Sequence, residues 1–220
     1  MNPYLDNKLQ EQIVHTTKSA PYSIHYTYAP IDMAPALYLH WHSEMEYLYL
    51  VEGELLFQIE NQTFLLHAKE GIFIPAELLH TAKNTGNTPV SFFAFVFSSS
   101  FLISSFDTTS YNTYILPVIH NNLQFATVLH ESISWQKMIL DFLHQIFFEE
   151  NQNELHIRGL ALLMWDVLYQ NHISKIGVEK SLQTLSAQLA PALSYIQQNY
   201  QQEVSLEELA FSVHLSKGQF

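Results

Sequence analysis

The chain has 220 residues, 48% of them apolar, enough to bury a sizeable core without staples. It has no cysteine, which excludes disulfides, thiolate metal sites and cysteine nucleophiles. Nine basic against twenty-one acidic side chains leave a net charge of −12, which argues against nucleic-acid binding by a basic surface of the chain as it stands.

The start, Met1-Asn2-Pro3-Tyr4-Leu5-Asp6, lacks a basic stretch followed by an apolar one, so no secretory signal is expected. The longest apolar runs, such as Phe92-Phe93-Ala94-Phe95-Val96-Phe97, are far shorter than the ~18 residues of a membrane helix. A cytoplasmic protein with no membrane partner is expected. The first half reads as strands. Residues 22–29 are aromatic-rich and bounded by prolines. Residues 47–51 and 55–59 flank Glu52-Gly53-Glu54, a hairpin signal. Asn61-Gln62 marks a turn before 63–67, 71–75 is a short apolar strand, and Asn84-Thr85-Gly86-Asn87 is a turn before 90–97. Short strands with turns every ten or so residues point to a sandwich or small barrel.

The period changes after about Tyr111. Ile133, Trp135, Met138, Ile139, Phe142, Leu143 and Ile146 recur at helical spacing. A second helix carries Leu155, Leu160, Leu163, Trp165, Val167 and Leu168, which cover more than one stripe. That width fits either a helix buried on two sides of its own core or one shared between the core and a second subunit. Residues 173–186 are polar and read as a linker. Pro191 suits a helix start, and Leu193, Ile196 and Tyr200 give that helix one apolar face. Ser205-Leu206-Glu207-Glu208 is a capping box, with Leu206, Leu209, Ala210 and Val213 on one face of the helix it opens. Ser216-Lys217-Gly218-Gln219 repeats the form, and the pair outlines a helix-turn-helix with Leu215 and Phe220 between its helices.

The strongest chemical signal is His40-Trp41-His42-Ser43-Glu44-Met45-Glu46, followed by Gly53. His40 and His42 share one face of a strand, and Glu46 shares their parity unless a turn near Ser43 resets it. Two imidazoles and a carboxylate compose a facial metal triad, and His80 could be a fourth ligand if the sheet folds back. The same residues could instead line a pocket and hydrogen-bond a ligand without metal, and Glu44 is an alternative to Glu46. The other eight of the twelve histidines show no ligand spacing and are expected at the surface or in the core. Tyr26, Tyr38, Trp41, Tyr47 and Tyr49 could stack on a sugar or serve as core and rim aromatics. No glycine-rich phosphate loop and no Gly-x-Ser-x-Gly is present.

His40-x-His42-x3-Glu46-x6-Gly53 resembles the first cupin motif, and Pro75-x4-His80-x3-Asn84 the second, with Glu77 where a glycine is expected. The run from Ala192 to Tyr200, then Ser205 through Ser216, resembles the opening of the AraC/XylS-type DNA-binding domain. The resemblance spans nearly the whole chain and implies a regulator of that family, not an enzyme. It implies a β + α architecture: a cupin-like jelly-roll effector-sensing domain over 1–115, a helical dimerisation segment over 116–172, a linker over 173–186 and an incomplete all-α helix-turn-helix domain over 187–220. His40, His42, Glu46 and His80, with Tyr38 and Trp41, would line a pocket for a small-molecule effector such as a sugar. No cofactor is required, though the four cupin ligand types leave a divalent metal open. Helices 132–148 and 155–170 would hold a homodimer. Ser216 would cap the recognition helix at phosphate, and Lys217 and Gln219 would approach phosphate or base edges.

The recognition helix stops after one turn, so sequence-specific DNA binding is expected of the full-length form and not of this chain alone. Two alternatives stand beside the regulator: a metal-dependent cupin enzyme using His40, His42, Glu46 and His80, and a sensor-only dimerisation module.

Overall fold

The computed structural model describes residues 4–6, 9–17, 20–104, 107–119, 126–149, 153–173, 195, 199, 202 and 204–212. The chain forms two compact units, Met1–His172 and Ile173–Phe220.

Among the described residues the first unit has nine strands in two sheets: β1 (Tyr22–Ala29), β2 (Leu37–His40), β3 (Met45–Glu52), β4 (Glu54–Ile59), β5 (Gln62–His67), β6 (Gly71–Ile74), β7 (His80–Asn84), β8 (Val90–Phe97) and β9 (Thr127–Leu129). One sheet runs β1-β8-β3-β6-β9 and the other β2-β7-β4-β5. Every named pairing is antiparallel. Leu48, Leu50, Ile72, Ile74 and Phe92 of the first sheet share one core with Leu55, Phe57, Ile59 and Leu66 of the second. Each such side chain contributes about 1.5–3 kcal/mol by leaving water.

The sheets differ on their outer faces, and the sequence shows it. In β4 buried and less buried residues alternate, as expected of a sheet with one face toward solvent. β8 is nearly continuously buried, because helices cover the outer side of its sheet. Phe93 stacks on Phe147, and Phe73 meets the Trp165 ring edge-on. Between β8 and β9 lie the short turns α1 (Ser99–Leu102), α2 (Thr108–Ser110) and α3 (Leu116–Ile119), with five π-helical residues, Tyr111–Ile115, before α3. The covering helices are α4 (Ser134–Phe148) and α5 (Glu154–Asn171). Asn153 caps α5 by accepting from the His156 N–H, and Ile157, Leu160, Ala161, Met164, Trp165 and Leu168 are its buried face. Leu155 and Leu163 remain exposed.

The jelly-roll architecture and the two long helices agree with expectation. Two strands, β7 and β9, were not read from the sequence, and the strand expected to carry both His40 and His42 is β2, which ends at His40. All are short, and β7 (His-Thr-Ala-Lys-Asn) is too polar to announce itself. β9 follows a helical stretch yet returns to pair with β6.

In the second unit, α6 (Leu206–Ser212) begins at the expected box. The Ser205 N–H donates to Glu208 Oε2 at 2.8 Å, and the Glu208 N–H donates back to Ser205 Oγ at 3.2 Å. The linker after Ile173, Pro191, and the DNA-contact candidates Ser216, Lys217 and Gln219 lie outside the described residues.

Candidate functional site

The inward faces of the two sheets converge on a cavity of about 190 Å³. Its floor is apolar, from Leu37, Phe92, Ala94 and Val96. Its wall is made of histidines and carboxylates. His40 ends β2 and pairs in register with His80 at the start of β7. Their rings lie 4.2 Å apart. His42 follows in the link to β3, and Glu46 sits on β3 in the opposite sheet, between Ile74 and Val96. The four side chains expected to act together are therefore together, and all are at most 5% exposed. His40 and Glu46 do not share a strand: the link at Ser43 separates β2 from β3.

Hydrogen bonds fix which ring nitrogen faces the cavity. His40 Nδ1 donates to Tyr38 O at 2.8 Å, His80 Nδ1 to Leu78 O at 2.8 Å and His42 Nδ1 to Glu44 O at 3.1 Å. A carbonyl only accepts, so each Nδ1 carries the proton and each neutral ring keeps a lone pair on Nε2. His42 Nε2 faces Glu46 Oε2 at 3.3 Å, and His80 Nε2 faces it at 3.6 Å. His80 Nε2 is buried without a hydrogen-bond partner among the described residues. One ring nitrogen from each of His40, His42 and His80 lies within 4.8 Å of the others. Ligands on a cation with bonds of about 2.1 Å sit about 3.0–3.4 Å from their neighbours. The limit of 4.8 Å is wider than that spacing, so the three electron-pair donors fit a divalent cation once the side chains close on it. Three imidazoles with carboxylate suit iron, manganese, nickel or zinc.

Tyr38 lines the cavity as expected. Trp41 does not: it has the opposite parity to His40 and His42, and opens onto a separate cleft with Leu9, Glu60, Glu77 and Leu79. Tyr47 is core, packed on Phe73 and Phe97. Tyr26 is exposed on the outer face. Glu77, standing where the motif has glycine, adopts φ +65°, the backbone shape a glycine would take without strain. Its N–H holds His42 O at 2.8 Å.

Three further residues join the wall. Glu11 comes from the N-terminal stretch, whose backbone pairs with Trp41: the Glu11 N–H donates to Trp41 O at 2.9 Å and the Trp41 N–H to Leu9 O at 3.1 Å. Glu11 accepts from the Tyr38 hydroxyl and lies 2.5 Å from His15 Nε2. His15 Nδ1 meets His25 Nε2 at 3.1 Å. His15 and His25 thus belong to the cluster, against the expectation that eight histidines stand apart. His25 had a signal: Ser23, His25, Thr27 and Ala29 form a small or polar inward face on β1. His15 and Glu11 had none.

Burial, reinforced by the neighbouring His80, pushes His40 down to about 3, against the Glu11 and Glu46 carboxylates. Burial also pushes Glu46 up, but the facing His42 and His80 imidazoles outweigh it and hold the carboxyl well below its usual range. Burial and the neighbouring His15 charge lower His25. Burial would lower His15 too, but its bond to Glu11 and the nearby carboxylates raise it. A lowered histidine is protonated in the unfolded chain first, so stability is lost as pH falls through the gap. His15 acts oppositely: its stability is present below 6.5 and lost as pH rises through its raised folded value. In chelator-stripped protein we expect the urea midpoint to fall as pH drops from 6.5 toward about 3, with His40→Gln flattening the fall. An unchanged fall in that variant would remove His40 as a cause.

A two-sheet barrel with histidines and a glutamate on its inward faces is the arrangement of a cupin. The cupin-domain family matches residues 24–96, so the chain carries a cupin domain on its N-terminal side. A Bacillus subtilis protein, the uncharacterized HTH-type transcriptional regulator YdeC, is 25% identical over 222 residues, covering 99% of this chain and 75% of that protein. An uncharacterized Methanocaldococcus jannaschii protein is 28% identical over 94 residues, covering 41% of this chain and 74% of its own. Among solved structures, ToxT from Vibrio cholerae aligns over 90% of this chain and 91% of its own, with 9% identity and a TM-score of 0.44. Both parts of the resemblance read from the sequence are met: a cupin domain, and a relative along the whole chain that is a helix-turn-helix regulator.

Proposed function

We propose that the chain is a ligand-responsive transcriptional regulator of the AraC/XylS type, with a cupin sensor, and not an enzyme. The observation that carries this is the similarity to a helix-turn-helix regulator over 99% of the chain, because it spans sensor, helices and α6 together. A cupin enzyme has no evident need of the capped helix Leu206–Ser212.

In this reading His40, His42, Glu46 and His80 hold a divalent cation, and the remaining space takes a small polar effector, a sugar among the candidates. The cavity's 190 Å³ is below the ~300–1,000 Å³ of ordinary ligand pockets, which restricts the effector to a small one. The exposed Leu155 and Leu163 of α5 support a homodimer through α4 and α5. DNA is the partner of the helix-turn-helix that α6 opens, with Ser216, Lys217 and Gln219 as its contacts. The compartment assigned is the cytoplasm. No described helix is long and apolar enough to cross a membrane.

Transcript profiling of a strain lacking the gene tests the reading. A small set of transcripts is expected to change, and to be restored by the intact gene but not by one deleted for 205–212. Turnover of a small substrate by iron- or manganese-loaded protein, with no transcript changed, would replace the regulator with a cupin enzyme.

A further inference from the structure

Two carboxylates face the three-imidazole cluster, and only Glu46 belongs to the barrel. Glu11 is brought in by the pairing of its backbone with Trp41. Glu11 Oε2 lies 3.6 Å from His40 Nε2, the same spacing that separates Glu46 Oε2 from His80 Nε2. His40 gives its Nδ1 proton to Tyr38 O, so its neutral ring has no proton for Glu11. A carboxylate oxygen and an imidazole lone pair at that distance repel unless positive charge lies between them. His15 Nε2 stands against the same oxygen, 2.5 Å away. The Glu11 side chain is only 5% exposed, so solvent does little to screen it.

We propose that Glu11 is a ligand of the divalent cation held by His40, His42, Glu46 and His80, so that cation binding fastens the segment 9–17 over the cavity. This rests on the cation-binding reading above. The donor set is then three neutral imidazoles and two carboxylates, and the two negative charges match a dipositive ion in a buried site. An octahedral ion keeps one position for solvent or effector. Tyr38 and His15 act as positioning residues, holding the two oxygens of Glu11.

Cobalt(II) is the probe, titrated into the full chain after chelator treatment and followed by calorimetry and visible absorption. The wild-type chain is expected to bind it, and Glu11→Gln to bind at least about tenfold more weakly with altered d–d bands. Tryptic cleavage after Lys8 and Lys18 is expected to slow with cobalt in the wild type and not in Glu11→Gln. Far-UV circular dichroism checks that the variant folds; if it does not, wild-type cleavage with and without cobalt decides, and absence of protection overturns the proposal. A variant matching the wild type in affinity, spectrum and protection overturns the role of Glu11 and leaves the cation reading standing. A wild-type chain that binds no cobalt overturns both.

Discussion

A His80→Ala variant is expected to lose the cation-dependent stabilisation of the barrel while keeping the barrel itself. His80 Nε2 makes no hydrogen bond among the described residues, so truncation breaks one hydrogen bond, from Nδ1 to Leu78 O, a loss of about 1 kcal/mol, along with the ring contacts to His40 and His42. The cation-free melting temperature should therefore move by only a few degrees. With cation the outcome reverses. A ligand at a hundred times its dissociation constant adds about 2.7 kcal/mol, and a unit of this size gains about 2–4 °C per kcal/mol. The wild type should thus gain about 5–10 °C with saturating cobalt or zinc, and His80→Ala close to none. Thermal unfolding with and without the ion, after chelator treatment, is the measurement. A variant that keeps the full gain would show that His80 is not a ligand.

How far this site could be read from residues depends on how each residue reaches it. His40, His42, Glu46 and His80 were legible because the link between β2 and β3 is short and because β2 and β7 pair with His40 opposite His80. Trp41 misled because adjacency was counted as membership: one residue from a ligand on an extended chain is the far face. Glu11 and His15 were invisible because no period connects them to the barrel. They arrive through a parallel backbone contact between Gln10 and Trp41, which depends on register and not on side-chain pattern. The fold divides in the same way. β8 could be read directly because both faces are buried and its apolar run is nearly unbroken, whereas β2 and β9 span only four and three residues. The width of the α5 apolar surface is now explained in part. Its buried side packs on α4 and α1 and sets Trp165 against Phe73 of the larger sheet, while Leu155 and Leu163 stay exposed.

The glycine of the first cupin motif is expected to matter for folding, not for the ligand set. Gly53 turns the chain from β3 to β4 at φ +90°, in the region that side-chain-bearing residues avoid. A Cβ there would meet Val90 Cγ1 at 2.6 Å and the Pro89 carbonyl oxygen at 2.7 Å. Val90 can shift only by disturbing its pairing with Ala29, and the carbonyl is backbone. Strain of about 1–3 kcal/mol and overpacking of about 1–3 kcal/mol add, so Gly53→Ala should cost about 2–6 kcal/mol. At about 2–4 °C per kcal/mol, the melting temperature should fall on the order of 10 °C. Gly159 provides the contrast, because its Cβ would meet nothing within 4 Å and it lies inside α5. Gly159→Ala should therefore stabilise the helix by about 0.5–1 kcal/mol. The same added methyl is thus expected to act with opposite sign at two positions of one unit, which calorimetry on the two variants would measure. If Gly53→Ala unfolds within a degree of the wild type, the hairpin does not hold the left-handed conformation described. If Gly159→Ala is destabilising instead, something covers that face of α5 in solution, and sedimentation of the variant against the wild type would show whether it is a second copy of the chain.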